Sequence, residues 1–246
     1  MPNLKIGKVI LGRTPIVVGT INDSEVNSGK IKDKIFKKID IVEIRIDRFK
    51  DISSDYITSV VKKLDKSISN PLIATIRSKK EGGEKAITDD TRYEILKNIV
   101  QYIDCVDVEI NSKLFKRLSS FFHYKKKIVI ASYHNFSNKP NNAKLEKILA
   151  KGKKGGADIV KIAVMVNSRD DLAKLIDFTI RNRKKYIVMI AMGDIGRISR
   201  ILNPILGSLL TYGYVITPSA TGQPSADEII SRLRYYDPEY NKLFNC

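Results

Sequence analysis

The sequence predicts an α/β protein that folds as a single (β/α)8 TIM barrel, one domain spanning residues 1–246. One reason is length, because 246 residues fit a barrel of this kind, which has about 250 residues. The other is a regular alternation of apolar, β-branched runs with segments of helical periodicity. Runs that are apolar on both faces are typical of a parallel sheet covered by helices, and eight of them predict closure into a barrel.

The eight candidate strands recur at similar intervals along the chain. They are Pro15 to Ile21, Ile41 to Ile46, Leu72 to Ile76, Val106 to Ile110, Ile128 to Tyr133, Ile159 to Met165, Tyr186 to Met192 and Tyr214 to Thr217. Capping signals at Ser168 and Ser225 predict the starts of two later helices. A doubly wound open sheet is the alternative fold, but it usually carries a GxGxxG turn that residues 20–28 lack. Residues 1–13 are expected to form a short strand or arm that closes the bottom of the barrel.

The chain is strongly basic, with 44 lysine and arginine residues against 27 aspartate and glutamate residues, a net charge of +17. This charge favours anionic substrates and, less specifically, nucleic acid or anionic membranes. Many lysines stand in short clusters just before an apolar run, as at residues 125–127 and 184–185. Because cations complement the dipole at the end of a helix, we interpret these clusters as helix ends. They lack the interleaved aromatic residues of a base-stacking surface.

The cysteines, the histidines and the lengths of the apolar runs indicate the cellular location of the protein and the absence of a metal site. No apolar run has the length of a membrane span, and no signal peptide is visible at residues 1–10. Cys105 and Cys246 have no CxxC spacing, which is typical of a reduced protein. His123 and His134 lack the spacing of metal ligands. We therefore expect a cytoplasmic protein with no metal site and with neither membrane nor nucleic acid as a partner.

Polar residues inside the apolar runs are the candidates for function, because catalytic groups of a barrel lie at the C-terminal ends of its strands. Lys161 lies in a run that is apolar on both faces, and burial favours the neutral, nucleophilic form of an amine. His134 ends the preceding run, where it could act as a general base. The alternatives are a lysine that extends to water or pairs with a carboxylate, and a structural histidine.

The second and third runs carry further charges. Glu43, Arg45 and Asp47 alternate along the second run and are expected to point together into the barrel. Three buried charges need mutual pairing or a ligand, so a structural ion-pair ladder is the alternative to a binding site. Arg77 ends the third run, and Glu81 follows in a loop whose two glycines allow close approach to a ligand.

Together these motifs resemble the type I 3-dehydroquinate dehydratase family over nearly the whole chain. The matching motifs are Glu-Ile-Arg-Ile-Asp at 43–47, Arg77 with Glu81-Gly82-Gly83, Ser132-Tyr133-His134, Lys161 in its apolar run, Met192-Gly193 with Gly196, Ser199 and Arg200, and Ser219-Ala220 with Gly222-Gln223. Their order along the chain gives the resemblance its specificity. Asn135 departs from the family pattern, which usually has aspartate there, and this removes a negative charge near His134.

The resemblance implies that the chain eliminates water from 3-dehydroquinate to give 3-dehydroshikimate, a step of aromatic amino acid biosynthesis, without a cofactor. Lys161 would form a Schiff base with the substrate, His134 would act as general acid and base, and Glu81 would orient and tune His134. The implied substrate-binding residues are Glu43, Arg45, Arg77, Met192, Arg200, Ser219 and Gln223. Among them, Arg200 would clamp the carboxylate. The family also implies a homodimer.

Two other functions compete with this one. A Schiff-base aldolase on the same barrel would need a phosphate site in the loops after strands seven and eight. A basic nucleic-acid-binding module without catalysis would show salt-sensitive binding. The second alternative explains neither the buried Lys161 nor the charged second run.

Overall fold

The structure, a computed structural model, describes residues 4–29, 34–136, 141–218 and 223–244. In chain order its strands are β1 Lys5–Ile6, β2 Val9–Ile10, β3 Val17–Ile21, β4 Ile41–Arg45, β5 Leu72–Thr75, β6 Cys105–Glu109, β7 Ile128–Asn135, β8 Ile159–Met165, β9 Ile187–Met192 and β10 Thr211–Tyr214. Its α-helices are α1 Asp23–Asn27, α2 Ser54–Ser67, α3 Asp89–Ile99, α4 Phe115–Tyr124, α5 Asn142–Lys154, α6 Arg169–Asn182, α7 Ser199–Ile205, α8 Ala226–Tyr236 and α9 Pro238–Lys242.

Strands β3 to β10 form one parallel sheet that curls into a nearly closed barrel. The strand order is β10-β3-β4-β5-β6-β7-β8-β9, so β10 returns to pair with β3, where Thr211 lies opposite Val17. At the seam between β9 and β10, the backbone N–H of Leu209 donates to the carbonyl of Ile187 at 2.9 Å. The predicted (β/α)8 fold is confirmed, and the C-terminal ends of all eight strands meet at one mouth.

Helices α2 to α6 and α8 cover the outside of the barrel, and each turns an apolar face toward the sheet. In α2 the buried apolar residues recur at helical spacing; they are Ile57, Val60, Val61 and Leu64. Both predicted helix starts are confirmed. The Ser168 side chain accepts the N–H of Asp171 at the start of α6, and the Ser225 side chain accepts the N–H of Glu228 at the start of α8.

The N-terminal hairpin closes the bottom of the barrel, as predicted. Strands β1 and β2 pair antiparallel, and Ile6 of β1 is fully buried. It packs in an apolar cluster with Leu11, which follows the hairpin, and with the first residues of barrel strands such as Ile41 and Cys105. Apolar side chains therefore fill this end of the interior.

The eighth barrel strand lies three residues earlier than predicted, at Thr211–Tyr214 instead of Tyr214 to Thr217. Gly213 stands inside it, and a Cβ there would come within 2.5 Å of the backbone nitrogen of Ala226 at the start of α8. Glycine is unfavourable in a strand unless another backbone approaches closely, so its presence concealed the strand from the sequence pattern. The shift places Tyr212 inside the barrel.

The lysine clusters lie at helix ends, as predicted. Lys151, Lys153 and Lys154 occupy the last turn of α5, residues 125–127 follow α4 directly, and residues 184–185 follow α6 after Arg183. Across the described part of the chain, no helix combines the length and the apolarity that crossing a membrane requires.

Candidate active site

A cavity of about 450 Å³ opens at the mouth of the barrel, a volume within the usual range for small-molecule sites. It contains nine of the ten site residues predicted from the sequence: Glu43, Arg45, Arg77, Glu81, His134, Lys161, Met192, Arg200 and Gln223. The tenth, Ser219, lies outside the described residues. Residues far apart in the chain are thus brought to one site by the barrel.

Lys161 lies in the middle of β8 and is only 4% exposed. Its Nζ is 3.0 Å from Oδ2 of Asp107 and 3.6 Å from Oε1 of Glu43, and it stands 3.9 Å from the centre of the Tyr212 ring. Burial favours a neutral amine, whereas two carboxylates and a ring face favour a charged one. The lysine is therefore both buried, as predicted, and paired, as the alternative interpretation held.

Asp107 on β6 contacts Lys161, and the sequence reasoning did not select it. Its Oδ1 accepts hydrogen bonds from Nη2 of Arg77 at 2.8 Å and from Oγ of Ser132 at 2.5 Å, which leaves Oδ2 for Lys161. Burial alone would raise the pKa of Asp107, but Arg77 and then Lys161 outweigh it and hold that pKa well below its usual value. The signal that could have revealed it is the alternation of Asp107 and Glu109 in an otherwise apolar run.

Arg77 joins the two carboxylates of β6. Its Nη1 lies 3.3 Å from Oε1 of Glu109, which also pairs with Arg92 of α3. Burial acts to lower the pKa of Arg77, but Asp107 and Glu109 raise it overall. The guanidinium therefore stays charged, and the protein itself occupies much of its hydrogen-bonding capacity.

Two of the three charges predicted to point into the barrel from β4 do so. Glu43 and Arg45 line the cavity, and Glu43 accepts a hydrogen bond from Oγ1 of Thr75 at 2.7 Å. The prediction was wrong for Asp47, because β4 ends at Arg45 and a 3-10 turn, Ile46–Arg48, breaks the strand alternation. The fully buried Asp47 instead holds Arg45 in a bidentate pair at 3.0 and 2.9 Å.

His134, near the end of β7, forms a pair with Glu81. The backbone N–H and Nδ1 of His134 both lie 3.0 Å from Oε2 of Glu81. Burial, then the positive charges of Arg77 and Lys161, hold the pKa of His134 well below its usual value, so the ring is neutral at pH 7. Burial raises the pKa of Glu81 to about 7. A Glu81 carboxylate that accepts the Nδ1 hydrogen leaves Nε2 as the basic nitrogen.

The turn that carries Glu81 depends on glycine. A Cβ on Gly83 would lie 1.9 Å from the carbonyl oxygen of Arg77, and Gly82 has a φ of +89°. The backbone N–H of Gly83 donates to the carbonyl of Ser78 at 2.8 Å. This tight turn after β5 brings Glu81 to His134. Close approach of the same loop to a ligand stays a prediction.

Arg200 is a part-buried cation on the cavity wall, at the start of α7. Its Nη1 donates to the carbonyl of Tyr212 at 3.2 Å, and within the described ranges no aspartate or glutamate forms an ion pair with it. Burial lowers the pKa of Arg200 to about 10. A desolvated guanidinium without an acidic partner is suited to a bound carboxylate, which it can grip with two parallel hydrogen bonds.

The remaining predicted residues form the rim of the cavity. Met192 ends β9, and Gln223 precedes α8, where its Nε2 donates to Oγ1 of Thr20 at 3.1 Å. Thr20 and Phe136 also line the cavity, although the sequence reasoning did not select them. Asn135, the departure from the family pattern, is buried at the end of β7.

The fold and the site together define a (β/α)8 barrel enzyme equipped for amine chemistry on a small anionic substrate. The site has a buried lysine, a neutral histidine and an arginine that pairs with no acidic side chain in the part of the chain that the structure describes. The chain belongs to the type I 3-dehydroquinase family, whose model matches residues 14–239. The resemblance inferred from the ordered motifs is thereby confirmed.

Individual relatives agree with the family match. The 3-dehydroquinate dehydratase of Thermodesulfovibrio yellowstonii is 34% identical over 215 residues, which cover 87% of this chain and 92% of the relative. That of Methanocella arvoryzae is 34% identical over 220 residues, covering 89% and 96%. The solved structure of type I 3-dehydroquinate dehydratase from Clostridium difficile with covalently modified comenic acid has a TM-score of 0.87 and 30% identity, and covers 96% of this chain and 98% of that one.

Proposed function

We propose that this chain is a hydro-lyase that eliminates water from 3-dehydroquinate to give 3-dehydroshikimate through an imine on Lys161, in the shikimate pathway of aromatic amino acid biosynthesis. Family membership and the names of the relatives support the reaction. The observation that carries the site assignment is the cavity that joins Lys161, His134 and Arg200. No resident cofactor takes part in the proposed steps.

The first step joins the amine to the substrate. Nζ of Lys161 attacks the ring ketone once it has given up a proton, and the ketone oxygen leaves as water. An ammonium and a ketone together yield a protonated imine and one water, so no proton is gained or lost overall. The positive charge stays at Nζ, beside Asp107 and Glu43.

The second step breaks a C–H bond and a C–O bond. The protonated imine draws electrons from the adjacent C–H bond, and Nε2 of His134 accepts its proton as an enamine forms. The enamine then expels the hydroxyl of the next carbon, and His134 returns the proton so that it leaves as water. Hydrolysis of the imine releases the enone product and restores Lys161. Glu81 serves by holding Nδ1 of His134.

The other predicted residues hold the substrate in this proposal. Arg200 binds the carboxylate, since it is the cavity cation without an acidic partner among the described residues. Glu43, Arg45 and Arg77 contact the ring hydroxyls, and Met192 packs beside the ring. Ser219 and Gln223 would close over the bound substrate and exclude water.

Borohydride reduction tests the proposal. We expect the purified chain to convert 3-dehydroquinate to an absorbing enone, and reduction during turnover to leave a ligand-sized mass on the peptide that contains Lys161. Lys161→Ala should give no adduct. Its matched control is Lys174→Ala, which replaces a lysine whose side chain is 53% exposed and should keep the adduct. Folded protein that gives neither enone nor adduct would overturn the proposal. An adduct formed only with sugar phosphates would favour the aldolase.

We also propose that the chain forms a homodimer through the face of α7 and α8. A groove of about 710 Å³ lies between these helices, with Ile198 57% exposed and Tyr236 59% exposed. Glu228 and Arg232 border it, so the face carries an apolar strip with both signs of charge. Such a face is complementary to its own copy, as a two-fold interface requires. Two chains of charge +17 repel least where apolar side chains make the contact.

Sedimentation tests the homodimer. We expect a dimer for the wild type and a monomer for Ile198→Asp, because a carboxylate in an apolar contact loses its hydration without gaining a partner. Tyr124→Asp, at an 80% exposed position on α4, is the matched control and should remain dimeric. A wild-type monomer at micromolar concentration, or a dimeric Ile198→Asp variant, would rule this face out.

A cytoplasmic location and a single catalytic domain over residues 1–246 remain proposals. The first is supported by Cys105, a free and buried thiol. The second is supported by the family model, which matches residues 14–239.

A further inference from the structure

A continuous network of buried ion pairs reaches from helix α3 to Lys161. Its members alternate in sign, and each is paired with the next: Arg92, Glu109, Arg77, Asp107, Lys161 and Glu43. Every one of these six side chains is 6% exposed or less. Three positive charges therefore face three negative ones, and the network is neutral only while the Lys161 nitrogen is cationic.

This balance distinguishes the possible states of the nitrogen during the reaction. Ammonium and protonated imine both carry one positive charge, whereas a free amine or a neutral imine carries none. A neutral nitrogen would leave one negative charge in excess in a buried setting, which is costly. The surroundings therefore favour the protonated imine, which is the form that withdraws electrons from the neighbouring C–H bond.

Asp107 is better placed than Glu43 to provide the balancing charge. Its Oδ2 is the nearer oxygen, at 3.0 Å from Nζ against 3.6 Å for Glu43, and its side chain is completely buried. Glu43 lines the cavity and would share its carboxylate with a bound substrate, whereas Asp107 does not line it. Asp107 thus contacts Nζ from the protein side and stays in place when substrate enters.

We propose that Asp107 is the counter-ion of the Lys161 nitrogen and stabilises its two cationic forms, the resting ammonium and the protonated imine. The proposal rests on the imine mechanism given above. Arg77 and Ser132 occupy Oδ1 of Asp107 and so direct Oδ2 at Nζ. Asp107 acts on the chemical step through contact with a reacting atom, without binding substrate.

The variant Asp107→Asn tests the proposal because it keeps the side-chain shape and removes the charge. We expect kcat to fall about 10²-fold, the scale of losing one preorganised electrostatic contact to the reacting centre, with KM changed little. The more specific readout is the pH dependence of borohydride trapping. In the wild type the yield of reduced adduct should stay level as pH rises above neutrality. In Asp107→Asn the yield should decline over the same range, because the imine there loses its proton at a lower pH than in the wild type.

Two further variants keep the outcome decisive. Asp171→Asn removes another buried carboxylate, at the start of α6, and should leave kcat and trapping at wild-type values. Ser132→Ala keeps the Asp107 carboxylate but removes the hydrogen bond that fixes it, and should give a smaller change in the same direction. If circular dichroism shows that Asp107→Asn is unfolded, Ser132→Ala serves as the test variant instead.

The outcomes separate this proposal from the function on which it rests. A wild type that forms no adduct overturns the imine mechanism and the counter-ion role together. A wild type that forms the adduct, alongside folded Asp107→Asn with unchanged kcat and a level trapping profile, overturns the counter-ion role alone. If Asp107→Asn is unfolded, a Ser132→Ala variant whose pH profile of trapping matches that of the wild type likewise overturns the counter-ion role alone.

Discussion

Replacing Lys161 with alanine is expected to lower kcat by on the order of 10⁴-fold or more, because Lys161 is the one lysine among the described residues that line the cavity. The variant should also be less stable, since Asp107 and Glu43 lose the cation between them. Breaking a buried ion pair on one side typically costs about 3–5 kcal/mol of unfolding free energy. Single-turnover assays and urea unfolding of the same preparation measure the two effects.

A second variant separates the loss of chemistry from the loss of stability. Lys161→Met keeps most of the side-chain volume, so it avoids the cavity that alanine creates while removing the charge and the amine. It should be as inactive as Lys161→Ala but less destabilised. A folded Lys161→Ala enzyme that retains more than about 1% of wild-type kcat would contradict the nucleophile assignment.

Replacing His134 with glutamine is the second large expected effect, a fall of about 10²- to 10⁴-fold in kcat. The loss should differ in kind from that of Lys161, because the amine that forms the imine is still present. Borohydride should therefore trap the substrate adduct on Lys161 in His134→Gln, although little enone appears. An active His134→Gln enzyme would remove histidine from the proton-transfer role.

The pH profile provides the control for this assignment. Above a pH of about 7, Glu81 is a carboxylate that accepts the Nδ1 hydrogen of His134, and Nε2 is free to act as a base. As pH falls through that value, Glu81 becomes protonated and can donate to Nδ1, which moves the ring hydrogen to Nε2. Wild-type kcat/KM should therefore fall below about pH 7. In Glu81→Gln the fall should occur at lower pH, because the pKa of His134 itself is held below its usual value.

The fold was predictable because seven of the eight barrel strands, β3 to β9, have a clear apolar pattern. A strand buried on both faces must be apolar throughout, and β8 at Ile159–Met165 has the predicted bounds. For the same reason the polar residues in these runs stand out, and Lys161 and His134 could be selected without knowing their neighbours. β10 was misplaced because Gly213 is explained only by the close approach of α8.

The site was less predictable where it depends on contacts between distant strands. Asp107 and Lys161 are 54 residues apart, and only the curvature of the barrel brings their side chains together. Asp47 was predicted to point into the barrel because sequence alternation does not show where β4 ends and a 3-10 turn begins. Arg77 matched a substrate-binding motif, yet three protein groups already contact its guanidinium. They are the carboxylates of Asp107 and Glu109 and the hydroxyl of Ser132.

The apolar closure of the barrel by the N-terminal hairpin divides the molecule by the kind of change that each end tolerates. Side chains such as Ile6 contribute packing at the bottom, whereas the charges that act on substrate lie at the mouth. Thermal stability and catalytic activity can therefore evolve through substitutions at different ends of the barrel. In a lineage that moves to a hotter or colder habitat, substitutions at the bottom of the barrel can change stability while the residues at the mouth, and with them the dehydration, stay the same.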